Sequence, residues 1–231
     1  MEEEIILRKR GGEFPQKISI RTFRPEDGEA VRRICCETGL LGKPIDPIYK
    51  DRELFADLIT GPYLRYEPEQ ALIAEKGVQV IGYLLGSSSD HFNLISMFCG
   101  FNTLCKMLLR LFGGRYRDHP RSKQFVRWVL LKGITERPKH PNHAGHLHFN
   151  LIRAYRGRTI ANHLWSNFET MLRSAGVNQC YGEFYSYARR RPEIVYSRYG
   201  FRLFDRCETT IFQPEIQEPI SVVCMIKDLM S

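Results

Sequence analysis

The stretch "RAYRGRTIANHLW", Arg153 to Trp165, places three arginines around a glycine directly before an apolar pattern with helical spacing. The preceding residues, "GHLHFNLI" at 145–152, alternate apolar and polar side chains, which predicts a strand. A strand that feeds a short basic loop and then a helix aims unpaired backbone N–H groups outward at the helix start. Those groups and the helix dipole favour an anion such as phosphate. The sequence therefore predicts an anion site at this turn.

The pattern on either side of the turn predicts an α/β (α+β) domain. The predicted order is strand, two helices, hairpin, helical insertion, strand, helix, strand, helix, strand and strand. Gly61-Pro62 is expected to end the second helix, and Gly82 predicts a bulge or a close backbone approach in the hairpin. We expect residues 1–16 to be a flexible tail and residues 17–231 to form one domain.

Composition and charge narrow the classes of partner. The 231 residues are 43% hydrophobic and carry a formal net charge of +8, which favours anionic partners. Seven scattered cysteines without metal-ligand spacing predict reduced thiols in a cytoplasmic protein and no metal site. The acidic N-terminus is unlike a secretory signal.

The segment at about 90–142 predicts a helical insertion. Its most apolar part, 92–112, has continuous apolar runs shorter than the roughly 20 residues that a bilayer crossing needs, so we expect no transmembrane helix. Peripheral membrane contact by this helix, or nucleic-acid binding by the basic residues that follow it, are alternatives. We rank both below an insertion that covers the core or forms a homodimer face.

Two motifs resemble the GNAT superfamily of acyl-CoA-dependent N-acyltransferases. "YRGRTIA" at 155–161 is similar to the family's pyrophosphate loop, with Thr159 where glycine is usual, and "VYSRYGF" at 195–201 is similar to its last helix. The segments "GPYLRYEPEQALIAE" and "AGHLHFNLIRAYRGR" resemble, more narrowly, the acetyltransferase-like domain of some O-GlcNAc hydrolases. The resemblance implies a mixed, mostly antiparallel central sheet flanked by helices, and it covers 18–90 and 143–229.

The resemblance also implies the ligands and most of the site. It implies acetyl-CoA as donor, a primary amine as acceptor, and direct attack of the amine on the thioester. Tyr196 matches the family tyrosine that protonates the departing thiolate. The residues implied for cofactor binding are Phe149, Asn150, Leu151, Arg156, Gly157, Arg158, Thr159, Ile160 and Ala161.

The general base stays open: the polar face of the strand at 145–152 offers His148, and the following strand offers Glu183 and Tyr185, with Glu183 acting through water. Asn150 cannot remove a proton, whereas the similar subgroup often has a carboxylate there. Because Thr159, Asn150, Arg189 and Pro192 depart from the family pattern, the alternative function is a protein that binds acyl-CoA without turning it over.

Overall fold

The computed structural model describes residues 2–7, 16–88 and 92–230. Its strands are β1 (Glu2–Leu7), β2 (Gln16–Thr22), β3 (Leu72–Lys76), β4 (Gln79–Ser87), β5 (Gly145–Leu151), β6 (Gln179–Ser186), β7 (Arg202–Thr209) and β8 (Ile220–Asp228). Its helices are α1 (Gly28–Thr38), α2 (Arg52–Tyr66), α3 (Phe92–Phe112), α4 (Pro120–Leu131), α5 (Arg158–Ser174) and α6 (Pro192–Ser197).

The eight strands form one sheet in the order β1-β2-β3-β4-β5-β6-β8-β7. The pairing of β5 with β6 is parallel, and the other six pairings are antiparallel. Helices cover both faces: α1, α2 and α3 pack on one cluster of buried side chains, and α5 packs on the other. The predicted mixed, mostly antiparallel sheet flanked by helices is confirmed.

The N-terminal segment differs from the predicted flexible tail. Residues 2–7 form β1, which pairs along its length with β2. Ile5 is buried, and the Glu3 carboxylate contacts His163 Nδ1 at 2.6 Å and Asn167 Nδ2 at 2.5 Å on α5. These contacts hold the segment to the sheet. Residues 8–15 of the predicted tail lie outside the described residues.

Helix α2 also differs from its prediction, because it continues through Gly61-Pro62 to Tyr66. A proline inside a helix removes one backbone hydrogen bond and strains the preceding turn. Here both Pro62 and Tyr63 are buried against neighbouring elements. Tertiary packing of this turn therefore outweighs the local stop signal.

The hairpin prediction is confirmed, including the close approach at Gly82. A Cβ at this position would lie 2.2 Å from Leu151 Cδ2 and 2.9 Å from the Asn150 carbonyl oxygen. Only glycine lets β4 and β5 approach this closely at that point. The register of β3 against β4 shifts between Ala74 and Glu75, near the partner position of Gly82.

The insertion between β4 and β5 contains α3 and α4. Among the described residues, the helical segment Leu94–Phe112 has the length and the apolar composition that a membrane span needs. The short continuous apolar runs of the sequence predicted no such segment. Its inner side packs on the core, since Cys99, Thr103 and Met107 are buried.

Candidate acyl-CoA site

Strands β5 and β6 pair for only three residues and then separate. Their parallel register joins 145–147 to 180–182, and the later residues of both strands have no ladder between them. Ile152 donates its backbone N–H to Ile81 on β4, so by the alternation of the antiparallel ladder Phe149 and Leu151 direct their backbone groups into the gap. The separation leaves a slot, and the backbone groups of Phe149 face it without a strand partner across the gap.

A cavity of about 230 Å³ opens at this slot, on the side of the sheet that α5 covers. It brings together five of the residues predicted for the site, namely Phe149, Gly157, Arg158, Ala161 and Tyr196. Its lining is mostly apolar. The other lining residues are Leu84, Leu147, Asn162, Trp165, Phe184, Val195, Tyr199 and Phe201.

The start of α5 borders the cavity. Gly157 occupies the N-cap position with extended backbone, and no side chain in the described part of the chain caps the first turn. The orphan N–H groups and the positive end of the helix dipole therefore stay available to an anion. The guanidinium-bearing side chain of Arg158, the first residue of the helix, adds a positive charge at the mouth.

Arg156 does not line the cavity, and its side chain instead binds two backbone carbonyls. Its Nε donates to the Leu151 carbonyl at 3.0 Å, and its terminal nitrogen donates to the Gly42 carbonyl at 2.9 Å. The side chain thereby ties the end of β5 to the loop between α1 and α2. Burial and the neighbouring charges of Arg190 and Arg153 lower its pKa from the usual range.

The remaining residues predicted for the cofactor do not line the cavity. Ile160 is buried in the core, Thr159 is exposed, and the Leu151 carbonyl accepts from Arg156. Asn150 pairs with Tyr83 of β4, so its backbone groups face away from the gap.

Tyr196 on α6 packs among aromatic rings at the wall of the cavity. Its ring stacks on Phe184 with centroids 4.2 Å apart and meets Phe149 edge-on at 6.4 Å. Burial raises the pKa of its hydroxyl above the usual value of tyrosine, and the charge of Arg190 opposes the shift. The hydroxyl therefore remains protonated near neutral pH and can donate a proton.

The two predicted bases lie on the opposite face of the sheet, His148 beside Tyr83 and Glu183 beside the end of the insertion. His148 Nε2 lies 3.3 Å from the Tyr83 hydroxyl and 3.1 Å from Asn150 Nδ2, and Asn150 Nδ2 donates to Tyr83 at 2.9 Å. Burial lowers the pKa of His148 to about 4, with the charge of Glu183 opposing this shift. His148 is therefore neutral at pH 7 and able to accept a proton.

Glu183 is engaged by two groups of the insertion. Arg137 donates to one carboxylate oxygen at 3.0 Å, and His140 Nε2 lies 3.1 Å from the other. Burial opposes ionisation of the carboxyl, but His140 and the charge of Arg137 outweigh it and hold the pKa of Glu183 well below its usual range. The carboxylate is thus ionised, and each of its oxygens already lies beside a side chain of the insertion.

Sequence reasoning missed several residues around these groups. Arg137 and His140 come from "ERPKHPNH", a stretch whose pattern predicts no site residue. His146 contacts the Tyr63 hydroxyl and stacks near Phe92, and burial lowers its pKa to about 3. The alternation of "HLHFN" was the available signal, since it places His146 and His148 on the same face.

Comparisons with known proteins agree at the level of the fold. No family model and no curated protein matches the sequence. Many solved structures are similar, and three of them illustrate the range. SsHAT is 24% identical, with 93% of this chain and 99% of that chain covered and a TM-score of 0.56. YncA from Salmonella typhimurium, solved with acetyl-CoA, is 13% identical, with 93% and 95% covered and a TM-score of 0.53. A GCN5-related N-acetyltransferase from Kribbella flavida is 12% identical, with 91% and 97% covered and a TM-score of 0.53.

These identities are low, so they establish architecture and leave the narrower O-GlcNAc hydrolase-like resemblance a prediction. The match extends over more than nine-tenths of this chain in each case. The described part of the chain includes all eight strands of the sheet, the point where β5 and β6 separate, and the loop before α5. The chain therefore has the mixed α/β fold of the GNAT N-acetyltransferases.

Proposed function

We propose that the protein is an N-acetyltransferase that moves the acetyl group of acetyl-CoA to a primary amine by direct attack. The observation that carries the proposal is the cavity between β5 and β6, bounded by the uncapped start of α5 and by Tyr196. An apolar slot edged by the backbone groups of Phe149 suits the pantetheine arm. A positive helix terminus with Arg158 beside it suits the pyrophosphate.

The chain's own groups meet the needs of the reaction in the following way. The amine nitrogen attacks the thioester carbonyl carbon, and the carbon–sulfur bond breaks as the tetrahedral intermediate collapses. Tyr196, which holds its proton near neutral pH, donates it to the departing thiolate. Backbone N–H groups that β5 directs into the gap are placed to polarise the carbonyl oxygen.

The attacking amine must lose a proton on the other side of the sheet. His148 is neutral and is assigned as the group that accepts it, since Glu183 is already paired with Arg137 and His140. The low pKa of His148 makes it a weak base. The amine acceptor therefore has to approach from the α1 and α2 side, through the gap between the strands. The unpaired cysteines fit a cytoplasmic location.

Binding of acetyl-CoA tests the site before any acceptor is known. In calorimetry, wild-type protein is expected to bind acetyl-CoA, and Ala161→Phe is expected to abolish binding because the larger side chain fills the cavity. Ala154→Phe is the matched control, since Ala154 is exposed in the preceding turn and does not line the cavity. Equal affinity in both variants would remove the proposed site.

A thiol-release assay with acetyl-CoA then tests turnover against amines, amino acids, amino sugars, antibiotics and peptides. Release of free thiol that depends on one class of amine supports the enzyme.

A second function is favoured by the pairing of Glu183 and the neutral, weakly basic His148. A protein with these groups can bind acyl-CoA and regulate through it without turnover. Binding in calorimetry with no thiol release across the panel favours this alternative.

A further inference from the structure

Helix α3 exposes an apolar face that the fold leaves uncovered. We define the α3 outer face as the exposed apolar side chains Leu94, Met97, Phe98, Phe101, Leu109 and Phe112. Phe98, Phe101 and Phe112 are 69%, 66% and 83% exposed. In the apolar part of the helix, within 94–112, only 17% of the residues are buried. A face this apolar on a protein surface marks a site of contact with a membrane or another protein.

The charged residues of α3 point away from this face. The helix has two of them, Lys106 and Arg110. Arg110 donates to Asp51 at 2.7 Å and to Glu53 at 2.6 Å, and Lys106 lies 3.9 Å from Asp57. All three carboxylates lie on or beside α2. The α3 outer face therefore has no charge of its own.

Positive charge begins where α3 ends. Arg115 and Arg117 follow Phe112 within five residues, and both are exposed. Arg115 lies 3.7 Å from the Asp51 carboxylate. Arg117 is exposed and has no ion pair among the described residues. The chain as a whole carries a formal net charge of +8. An apolar face with cations at its end is complementary to a bilayer surface that carries anionic headgroups.

We propose that the α3 outer face docks the protein on the surface of a lipid bilayer that contains anionic lipids. The helix lies along the interface and does not cross it, because Cys99, Thr103 and Met107 on its inner side are buried in the core. Two copies of this face could also cover one another, but the face offers no charged residue that would set their register. This proposal is independent of acetyl transfer.

Vesicle flotation tests the proposal with the full chain. Wild-type protein is expected to float with vesicles of phosphatidylcholine and phosphatidylglycerol, and more weakly with phosphatidylcholine alone. Phe98→Ser/Phe101→Ser is expected to weaken binding to the mixed vesicles by about tenfold or more, because two inserting rings are lost. Leu109→Ser/Phe112→Ser is expected to act in the same direction.

Val78→Ser is the control, since Val78 is a fully exposed apolar residue in the turn between β3 and β4. It is expected to leave flotation unchanged, and circular dichroism checks that all variants are folded. Light scattering after gel filtration gives the oligomeric state. Wild-type protein that fails to float overturns the proposal. If that protein is a dimer that the double variants dissociate, the α3 outer face is covered by a second copy of the chain instead.

Discussion

The ring of Tyr196 stacks on the ring of Phe184 with centroids 4.2 Å apart and planes 22° apart. The two residues lie on α6 and β6, so this contact joins the "VYSRYGF" motif to the wall of the cavity. Stacking of this kind restrains the ring. It thereby fixes where the hydroxyl of Tyr196 can reach.

Tyr196→Phe keeps the stacked ring and removes the proton donor. Under the proposed function, the turnover rate is expected to fall by about 10²-fold or more, while acetyl-CoA affinity changes little. Steady-state kinetics with the acceptor found by the thiol-release panel and calorimetry check the two quantities separately. Tyr66→Phe, on an exposed tyrosine of α2, serves as control. Unchanged turnover in Tyr196→Phe would exclude it as the acid.

Arg158 and Arg156 are expected to differ in what they stabilise. Arg158→Ala removes a charge at the cavity mouth, so acetyl-CoA affinity should fall several-fold, with a smaller loss at high salt. Arg156→Ala removes two hydrogen bonds to backbone carbonyls and should lower the free energy of unfolding by about 1 kcal/mol. Calorimetry and urea unfolding of both variants measure these effects. A large affinity loss confined to Arg156→Ala would reverse the assignment.

Stability should fall as the solution is acidified below pH 6.5. Burial lowers the pKa of His148 to about 4 and that of His146 to about 3, whereas unfolded histidine titrates near 6.5. The unfolded chain therefore binds more protons in this range, and each histidine contributes a loss of up to about 1.4 kcal/mol per pH unit. Urea unfolding at pH 7.0, 5.5 and 4.5 measures the slope.

His148→Gln is expected to flatten that slope, because the substituted side chain does not titrate. His163→Gln is the comparison, since His163 lies on α5 and is partly exposed. An equal slope in wild-type protein and His148→Gln would contradict the assignment of a buried, neutral His148.

Gly82 and Gly61 should respond in opposite directions to alanine. Gly82→Ala places a methyl group 2.2 Å from Leu151 Cδ2 and close to backbone, so we expect a loss of about 1–3 kcal/mol in unfolding free energy. Gly61 lies inside α2 with open space around it, so Gly61→Ala should gain about 0.5–1 kcal/mol. Thermal and urea unfolding distinguish the two. A stable Gly82→Ala would show that β4 and β5 can separate there.

The local sequence pattern predicted most elements correctly. The alternation of "GHLHFNLI" became β5, and the apolar spacing after Gly157 became α5, because both patterns depend on near neighbours. Two predictions failed where packing decides. Residues 2–7 joined the sheet, and α2 continued through Pro62, since buried contacts with distant elements outweighed the local signals.

Local sequence patterns predicted the order of elements from β2 onward, the two faces of β5 and the basic turn before α5. The sequence by itself could not determine which arginine borders the cavity, because Arg156 is oriented by a carbonyl at Gly42, 114 residues away. It also could not show that Arg137 and His140 lie against the Glu183 carboxylate, or that α3 leaves its apolar face uncovered. Those features depend on contacts between elements distant in the chain, which only the tertiary structure brings together.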